Sequence, residues 1–136
     1  MKVDKIDHLC VAVKDLDRAR RVWEPLLGKS GPDDQYIHDP EQIRVARYWI
    51  GEVGFELMES TTPDGPVSRW IGKHGEGVML VSFHVPNTSE AVAELGHLGY
   101  PFIPDGNGEI TRPFRDGEFA LIHPGKLSGV LTELID

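Results

Sequence analysis

Hydrophobic and polar residues alternate along the first third of the chain in a way that predicts a strand, a helix and a loop. Residues 5–13 (KIDHLCVAV) are β-branched and apolar with partial alternation, which is typical of a strand. Residues 15–27 repeat apolar side chains at helical spacing, with Pro25 expected to end or kink the last turn and Gly28 to stop the helix. Residues 31–43, rich in Asp and Pro, predict a loop.

The rest of the chain continues with strands and two further helices. Segments 45–51 and 53–60 predict an antiparallel pair of strands joined by a tight turn. Asn87, with Glu90 three residues later, marks the start of an amphipathic helix. The remaining predicted elements are a turn and short helix (63–75), a strand (78–85) and two closing strands (EFALIHP and GVLTELI).

The order of strand, helix and strands therefore occurs twice. Displacing the chain by 72 positions aligns VMLVSFHVPNTSEA with IDHLCVAVKDLDRA and puts Val85 on Val13. The closing strands GFELM and LTELI also correspond, which puts Glu56 on Glu133. A repeat of about 70 residues is too long for a solenoid unit, so we interpret the chain as two packed copies of one supersecondary module.

Each module-opening strand has two different faces, because successive side chains of a strand point to opposite sides. One face is bulky and apolar and is predicted to pack under the helices. The other face is small or polar and is predicted to line a cavity. Cys10 lies on that second face, where we interpret it as a small inert hydrophobe, the usual role of a buried cysteine. The apolar face comprises Leu9, Val11, Val13, Met79, Val81, Phe83 and Val85, and the cavity face His8, Cys10, Ala12, Leu80, Ser82 and His84.

Two glutamates interrupt apolar strands and need compensation. Glu56 and Glu133 lie within GFELM and VLTEL, where an ionised carboxylate is costly to bury alone. A divalent cation held by His8 and both carboxylates would compensate them, since imidazole and carboxylate suit Zn, Co, Mn or Ni. Alternatively, the glutamates point to solvent or pair with Arg47 or Arg44, and His8 is an ordinary hydrogen-bonded histidine. The residues alone leave both interpretations open.

Length and charge restrict the class of protein further. The 136 residues fit one domain, and a net charge of −8 disfavours a nucleic-acid or anionic-membrane surface, because both depend on basic patches. The single cysteine cannot form an intramolecular disulfide, which is typical of a reducing compartment. No apolar run is long enough for a signal peptide or a membrane span, so we expect a cytoplasmic protein.

Four segments together resemble the vicinal oxygen chelate superfamily (glyoxalase/bleomycin resistance/dioxygenase), and most closely its methylmalonyl-CoA epimerase branch. They are IDHLCVAVKDLDRAR, GFELMES, PDGPVSRWIGKHGEG and FALIHPGKLSGVLTELID, and they span nearly the whole chain. The resemblance implies an α+β fold in which two βαβββ modules form a half-barrel mixed sheet around a central cavity. We predict a single domain over 1–136, with module one at about 1–62 and module two at about 76–136. By analogy with the family, we also expect a homodimer.

The resemblance implies a metal site with one ligand missing. The four ligands of the epimerases fall on His8, Glu56, Leu80 and Glu133, of which Leu80 cannot bind a metal. The resemblance thus leaves His8, Glu56 and Glu133 as metal ligands for Co, Zn, Mn or Ni. The family's second catalytic carboxylate falls near Ala46, where this chain has no acidic residue.

Two functions are compatible with these residues. The first is a metal-assisted epimerase, isomerase or lyase that acts at the carbon next to a carbonyl of a small acid or acyl-CoA, with Glu133 as catalytic base. The second is a metal-free module of the same fold that sequesters a small molecule, as bleomycin-resistance proteins do. Loss of one metal ligand and of the opposite base is what the second function predicts.

Overall fold

The computed structural model describes residues 1–136, whose contacts divide them into two compact units. The first unit comprises residues 9–79, and the second comprises residues 1–8 and 80–136. Strand β1 (Lys5–Ala12) contributes its two ends to different units.

The first unit packs two helices with an antiparallel ribbon of strands. Its sheet has the order β2 (Asp34–His38), β3 (Ile43–Ile50), β4 (Val53–Ser60) and β1, in which β3 is antiparallel to both β2 and β4. The elements that follow β1 are α1 (Leu16–Leu27), β2 (Asp34–His38), a 3-10 turn (Asp39–Glu41), β3 (Ile43–Ile50), β4 (Val53–Ser60) and α2 (Pro66–His74).

Helix α1 has the ends that the sequence predicts. The side chain of Asp15 accepts a hydrogen bond from the backbone N–H of Arg18 at 3.1 Å, which satisfies one of the free donors of the first turn. Gly28 ends the helix with φ of 70°, a left-handed conformation that glycine adopts without steric cost. Pro25 does not end the helix, which continues through Leu27.

The predicted loop over residues 31–43 is partly wrong, because it contains strand β2. Tyr36 pairs with Val45 and His38 with Ile43 along the antiparallel ladder to β3. β2 is an edge strand, and its backbone hydrogen bonds to β3 outweigh the local preference of Asp and Pro for a loop.

The second unit repeats the arrangement with shorter strands. Its sheet has the order β1-β5-β9-β8-β6, and β7 pairs with β8. β5 and β9 are parallel, whereas β8 is antiparallel to β9, β6 and β7. Its elements are β5 (Gly77–His84), α3 (Thr88–His97), β6 (Phe102–Ile103), β7 (Arg112–Phe114), β8 (Gly117–Ile122), a 3-10 turn (Pro124–Lys126) and β9 (Leu131–Ile135).

The apolar face of each opening strand packs into a core beside its helix, as the alternation predicts. In the first unit, Val11 and Val13 join a buried cluster against which Trp23 of α1 packs. In the second unit, Val85 joins the buried cluster of Ala91, Leu95, Ile122 and Leu134. The opposite faces of β1 and β5 are therefore left for the polar residues.

Each unit contains the same two hydrogen bonds at equivalent positions. In each, the residue after the opening strand donates its N–H to a carbonyl of the closing strand, and the first helical residue donates to a carboxylate. These bonds are Val13 N–H to Met58 O and Val85 N–H to Ile135 O, both 2.9 Å, with Leu16 N–H to Glu59 Oε2 at 2.7 Å and Thr88 N–H to Asp136 Oδ2 at 2.8 Å. The sequence repeat is thus also a repeat of structure.

The three helices are too short or too polar for any of them to cross a lipid bilayer.

Candidate functional site

The polar face of the opening strands is buried at every residue except His84. Cys10 is 2% exposed and Ser82 0%, and the two strand glutamates are almost as inaccessible, Glu56 at 1% and Glu133 at 8%. His8 is also buried. Burial of this many polar groups is costly unless they bind one another or a ligand, so their partners define what the site can do.

In the second unit, Glu133 is held from two sides. Ser82 lies directly opposite Glu133 in the parallel register of β5 and β9, and its hydroxyl donates to Oε1 at 2.6 Å. Nε2 of His8 lies 3.3 Å from the same oxygen. A hydroxyl and an imidazole nitrogen therefore meet on one carboxylate oxygen.

His8 is oriented by its neighbour in the chain. Nδ1 of His8 lies 2.8 Å from Oδ2 of Asp7, so Nδ1–H donates to that carboxylate. A carboxylate on one ring nitrogen fixes the tautomer and raises the basicity of the other nitrogen, an arrangement that accompanies most metal-binding histidines. Nε2 is then the nitrogen that lies next to Glu133.

In the first unit, the carboxylate of Glu56 receives different partners on its two oxygens. Sγ of Cys10 lies 3.5 Å from Oε1, and Nη1 of Arg47 donates to Oε2 at 3.0 Å. The Tyr36 hydroxyl lies 3.4 Å from each oxygen. The thiol and the guanidinium therefore act on opposite oxygens.

Arg47 is the cation that compensates the buried charge of Glu56. A pair with Arg47 was one of the alternatives that the sequence left open. It lies directly opposite Glu56 in the register of β3 and β4, and its guanidinium stacks 4.3 Å from the centre of the Trp49 ring. Gly54 leaves room for it, since a Cβ there would come within 2.7 Å of Nη2 of Arg47. Arg44 instead pairs with Glu59 at 3.1 Å, and Glu56 does not point to solvent.

The repeat relates these residues in pairs. The displacement that puts Val85 on Val13 also puts Ser82 on Cys10 and Leu80 on His8. In each unit the residue at the first of these positions, Cys10 or Ser82, contacts the glutamate of the closing strand. The second sequence repeat has buried Leu80 where the first repeat has His8, so only one imidazole belongs to the repeated set.

Three buried residues form a group able to hold a metal ion. His8 and Cys10 lie two positions apart on β1 and so point to the same side of that strand. One ligand atom each of His8, Cys10 and Glu56 lies within 4.8 Å of the other two. Of the predicted ligands His8, Glu56 and Glu133, the structure brings His8 close to Glu133 and to Glu56. The sequence analysis treated Cys10 as inert, although its position two residues after His8 was a signal for the site.

At the position of the family's second catalytic carboxylate, this chain has an apolar residue followed by a basic one. Ala46 is fully buried in the core cluster of the first unit, and the next residue is Arg47. No acidic side chain comes from this stretch of β3.

The structure has two α+β units, each with a buried glutamate on a strand, as the resemblance to the vicinal oxygen chelate class implies. The chain belongs to the Glyoxalase/Bleomycin resistance protein/Dioxygenase superfamily, whose family model matches residues 7–119. The predicted resemblance to this superfamily is therefore confirmed.

The relatives include methylmalonyl-CoA epimerases. The chain is 28% identical over 135 residues to the uncharacterized protein YqjC of Bacillus subtilis (strain 168), with coverage of 98% of this chain and 93% of YqjC. It is 27% identical to the mitochondrial methylmalonyl-CoA epimerase of Mus musculus, covering 98% of this chain and 73% of that protein.

A solved structure supports the same relationship. A variant of the Streptomyces coelicolor methylmalonyl-CoA epimerase, in complex with 2-nitronate-propionyl-CoA, superposes with a TM-score of 0.87 at 26% identity, with coverage of 98% of this chain and 97% of that one. The predicted fold class, α+β with two βαβββ modules in a half-barrel mixed sheet, is confirmed. The chain is thus an epimerase-like member of the superfamily.

Proposed function

We propose that the protein is a metal-assisted epimerase or isomerase, with a lyase as the related possibility, acting at the carbon next to a carbonyl of an acyl-CoA or similar small acid. One observation carries the proposal: Nε2 of His8 faces Glu133 at 3.3 Å, with Asp7 behind Nδ1 at 2.8 Å. This is how a protein prepares a histidine to bind a metal next to a carboxylate. The similarity to methylmalonyl-CoA epimerases supports the substrate class.

His8, Glu56 and Glu133 would hold the metal, and their chemistry fits a divalent transition ion. One imidazole and two carboxylates suit Zn, Co, Mn or Ni. A nitrogen and an oxygen bound to one tetrahedral zinc lie about 3.4 Å apart, given the usual bond lengths. The separation of 3.3 Å between His8 and Glu133 matches that spacing.

Different residues of the chain would then have different roles in the reaction. A metal held by these residues would supply positive charge that polarises the substrate carbonyl and stabilises negative charge on its oxygen. Glu133 is the proposed base, which takes the proton from the α-carbon and returns it. Ser82 donates to Oε1 of Glu133 at 2.6 Å and so fixes the orientation of the carboxylate. Because Ala46 and Arg47 supply no opposite carboxylate, Glu133 alone would return the proton to the face that it left. Epimerisation by this site therefore requires that solvent protonate the enolate on the opposite face.

Two measurements test the proposal. Purified without chelator, the protein should contain or bind a transition metal at micromolar concentration, and His8→Ala should lose it. In deuterated water, the loaded protein should incorporate deuterium at the α-carbon of methylmalonyl-CoA, and Glu133→Gln should not. Absence of metal binding would overturn the proposal, and metal binding without α-exchange would overturn the assignment of methylmalonyl-CoA as substrate.

The second candidate is a metal-free module that sequesters a small molecule. The observation in its favour is Arg47, whose guanidinium already compensates the buried charge of Glu56 at 3.0 Å. Leu80, at the position of His8 in the repeat, removes a further ligand. This function predicts that the ligand binds equally well before and after treatment with a chelator, and that His8→Ala leaves its affinity unchanged.

A homodimer and a cytoplasmic location also belong to this proposal, by analogy with the family and from the single cysteine. Sedimentation equilibrium should give twice the mass of one chain at micromolar concentration. A monomeric mass would contradict the dimer without affecting the proposed chemistry.

A further inference from the structure

We propose that the thiolate of Cys10 is the fourth ligand of the metal, in place of the histidine that Leu80 replaces. The inference rests on the proposed metal site of His8, Glu56 and Glu133. It assigns the missing ligand to a residue that the family pattern does not use, and it predicts which metals the site prefers.

The position of Cys10 on β1 brings it to the side of the strand that carries His8. Residues two apart on a strand share a face, and both side chains are buried. One ligand atom each of His8, Cys10 and Glu56 falls within 4.8 Å of the other two. Cys10 is therefore close to two of the three proposed ligands.

The distance from Cys10 to Glu56 fits a shared ion. A sulfur and an oxygen bound to one tetrahedral zinc lie about 3.6 Å apart, given zinc–sulfur and zinc–oxygen bond lengths of about 2.3 and 2.1 Å. Sγ of Cys10 lies 3.5 Å from Oε1 of Glu56. In this arrangement a metal replaces the thiol proton, since metal binding requires the thiolate.

The other oxygen of Glu56 is already occupied in a way that favours this geometry. Arg47 donates to Oε2 at 3.0 Å, and its guanidinium is confined by Trp49 at 4.3 Å. Oε1 is thereby turned toward Cys10. Arg47 is thus a positioning residue that holds Oε2, while Oε1 lies next to the thiol of Cys10 and the Tyr36 hydroxyl.

A thiolate among the ligands changes the metal preference of the site. Oxygen ligands suit Mn²⁺, whereas a thiolate together with an imidazole favours softer ions such as Zn²⁺ and Co²⁺. A site with Cys10 should therefore prefer Zn²⁺ and Co²⁺ over Mn²⁺ by a margin that depends on the sulfur.

The repeat supplies a matched substitution. Ser82 occupies the position of Cys10 in the second unit and donates to its glutamate at 2.6 Å. Cys10→Ser should therefore keep a hydrogen bond to Glu56 and a similar side-chain volume while removing the soft ligand. Cys10→Ala removes both and serves as the second variant.

The experiment titrates Co²⁺, Zn²⁺ and Mn²⁺ into the metal-free full chain under a non-thiol reductant. Binding of Co²⁺ is followed by absorption, and binding of Zn²⁺ and Mn²⁺ by competition with a chromophoric chelator. The wild type should show a near-ultraviolet sulfur-to-cobalt charge-transfer band that saturates at one ion per chain. Cys10→Ser and Cys10→Ala should lose the band and bind Zn²⁺ and Co²⁺ on the order of 10- to 100-fold more weakly, the scale of loss seen for residues that support a metal site. Their affinity for Mn²⁺ should change much less.

The outcomes separate this inference from the proposed function. Binding of Co²⁺ that requires His8 but shows no charge-transfer band, with Cys10→Ser unchanged in affinity, would overturn the role of Cys10 and leave the proposed function standing. Failure of the wild type to bind any of the three ions would overturn both. A band that persists in His8→Ala would place the sulfur on a different ion and would also overturn the inference.

Discussion

The guanidinium of Arg47 lies 3.0 Å from Oε2 of Glu56, the residue directly opposite it in the β3–β4 register. Both side chains are buried, so the pair replaces the hydration that each charge has in the unfolded chain. A buried pair adds little net stability, but loss of one partner leaves the other charge without compensation. The stability of the first unit therefore depends on keeping both members or neither.

Substitution of Arg47 alone should strongly destabilise the metal-free protein. We expect Arg47→Met to lower the free energy of unfolding by about 3–5 kcal/mol, because Glu56 stays buried without its cation. The double variant Arg47→Met/Glu56→Gln should recover a large part of that loss. Urea unfolding followed by circular dichroism measures both, and equal losses in the single and double variants would contradict the prediction.

Arg44 provides the control for that experiment. It pairs with Glu59 at a similar distance, 3.1 Å, but the Arg44 side chain is 40% exposed. Exposed ion pairs contribute about 0–1 kcal/mol. Arg44→Met should therefore change the free energy of unfolding by no more than that amount.

Gly54 should tolerate a side chain only when Arg47 is shortened. A Cβ at residue 54 would lie 2.7 Å from Nη2 of Arg47, which is confined between Glu56 and Trp49. Gly54→Ala should cost about 1–3 kcal/mol, the range for overpacking a filled interior. In the Arg47→Ala background the same substitution should cost much less, and purely additive free energies of unfolding would contradict the mechanism.

Asp7 should affect metal binding without contacting the metal. Its carboxylate holds Nδ1 of His8 at 2.8 Å, and loss of such a partner commonly weakens metal binding by about 10- to 100-fold. Asp7→Asn should therefore raise the dissociation constant for Zn²⁺ by that factor, measured by competition with a chromophoric chelator.

The matched control for Asp7 is the second histidine–aspartate pair of the chain. Asp4 holds Nδ1 of His84 at 2.9 Å, but this pair is about one-third exposed and lies outside the proposed ligand set. Asp4→Asn should leave the dissociation constant unchanged. An equal loss of affinity in both variants would mean that net charge, and not the orientation of His8, controls binding.

Most of the fold was predictable, because the pattern of apolar residues and the sequence repeat indicate its strands and helices. The strands around Val13 and Val85 and the cap at Asn87 are local signals that tertiary packing reinforces. Strand β2 was missed because turn-forming Asp and Pro residues flank its short segment, and because the strand that it pairs with comes several residues later.

The site was predictable in its residues more than in its contacts. The sequence left open whether Glu56 and Glu133 are buried with a partner or point to solvent, and the structure shows that both are buried. Which cation or donor meets each oxygen depends on register, which a single sequence does not define. Arg47 was one of two alternatives, and Cys10 was treated as inert because burial alone does not distinguish a core thiol from a ligand.

The carboxylate of Asp136 should make the stability of the fold around helix α3 depend on pH. Burial alone would raise the pKa of Asp136, but hydrogen bonds from the backbone N–H groups of Thr88 and Glu118, at 2.8 and 2.9 Å, outweigh it and lower that pKa below its ordinary value. A carboxyl whose pKa is lower in the folded state stabilises the fold above its unfolded-state pKa of about 3.9. That contribution is lost as the pH falls through the lower, folded-state pKa.

Asp136→Asn should therefore destabilise the protein at neutral pH and matter progressively less in acid. We expect a loss of about 1 kcal/mol at pH 7, the usual effect of removing a carboxylate that caps a helix. The difference from wild type should shrink once the pH is below about 4, because the wild-type carboxyl is then protonated in the unfolded chain. Urea unfolding at several pH values measures this, with the exposed Asp64→Asn as control. A difference that stays constant from pH 7 to pH 3 would show that the charge of Asp136 does not contribute.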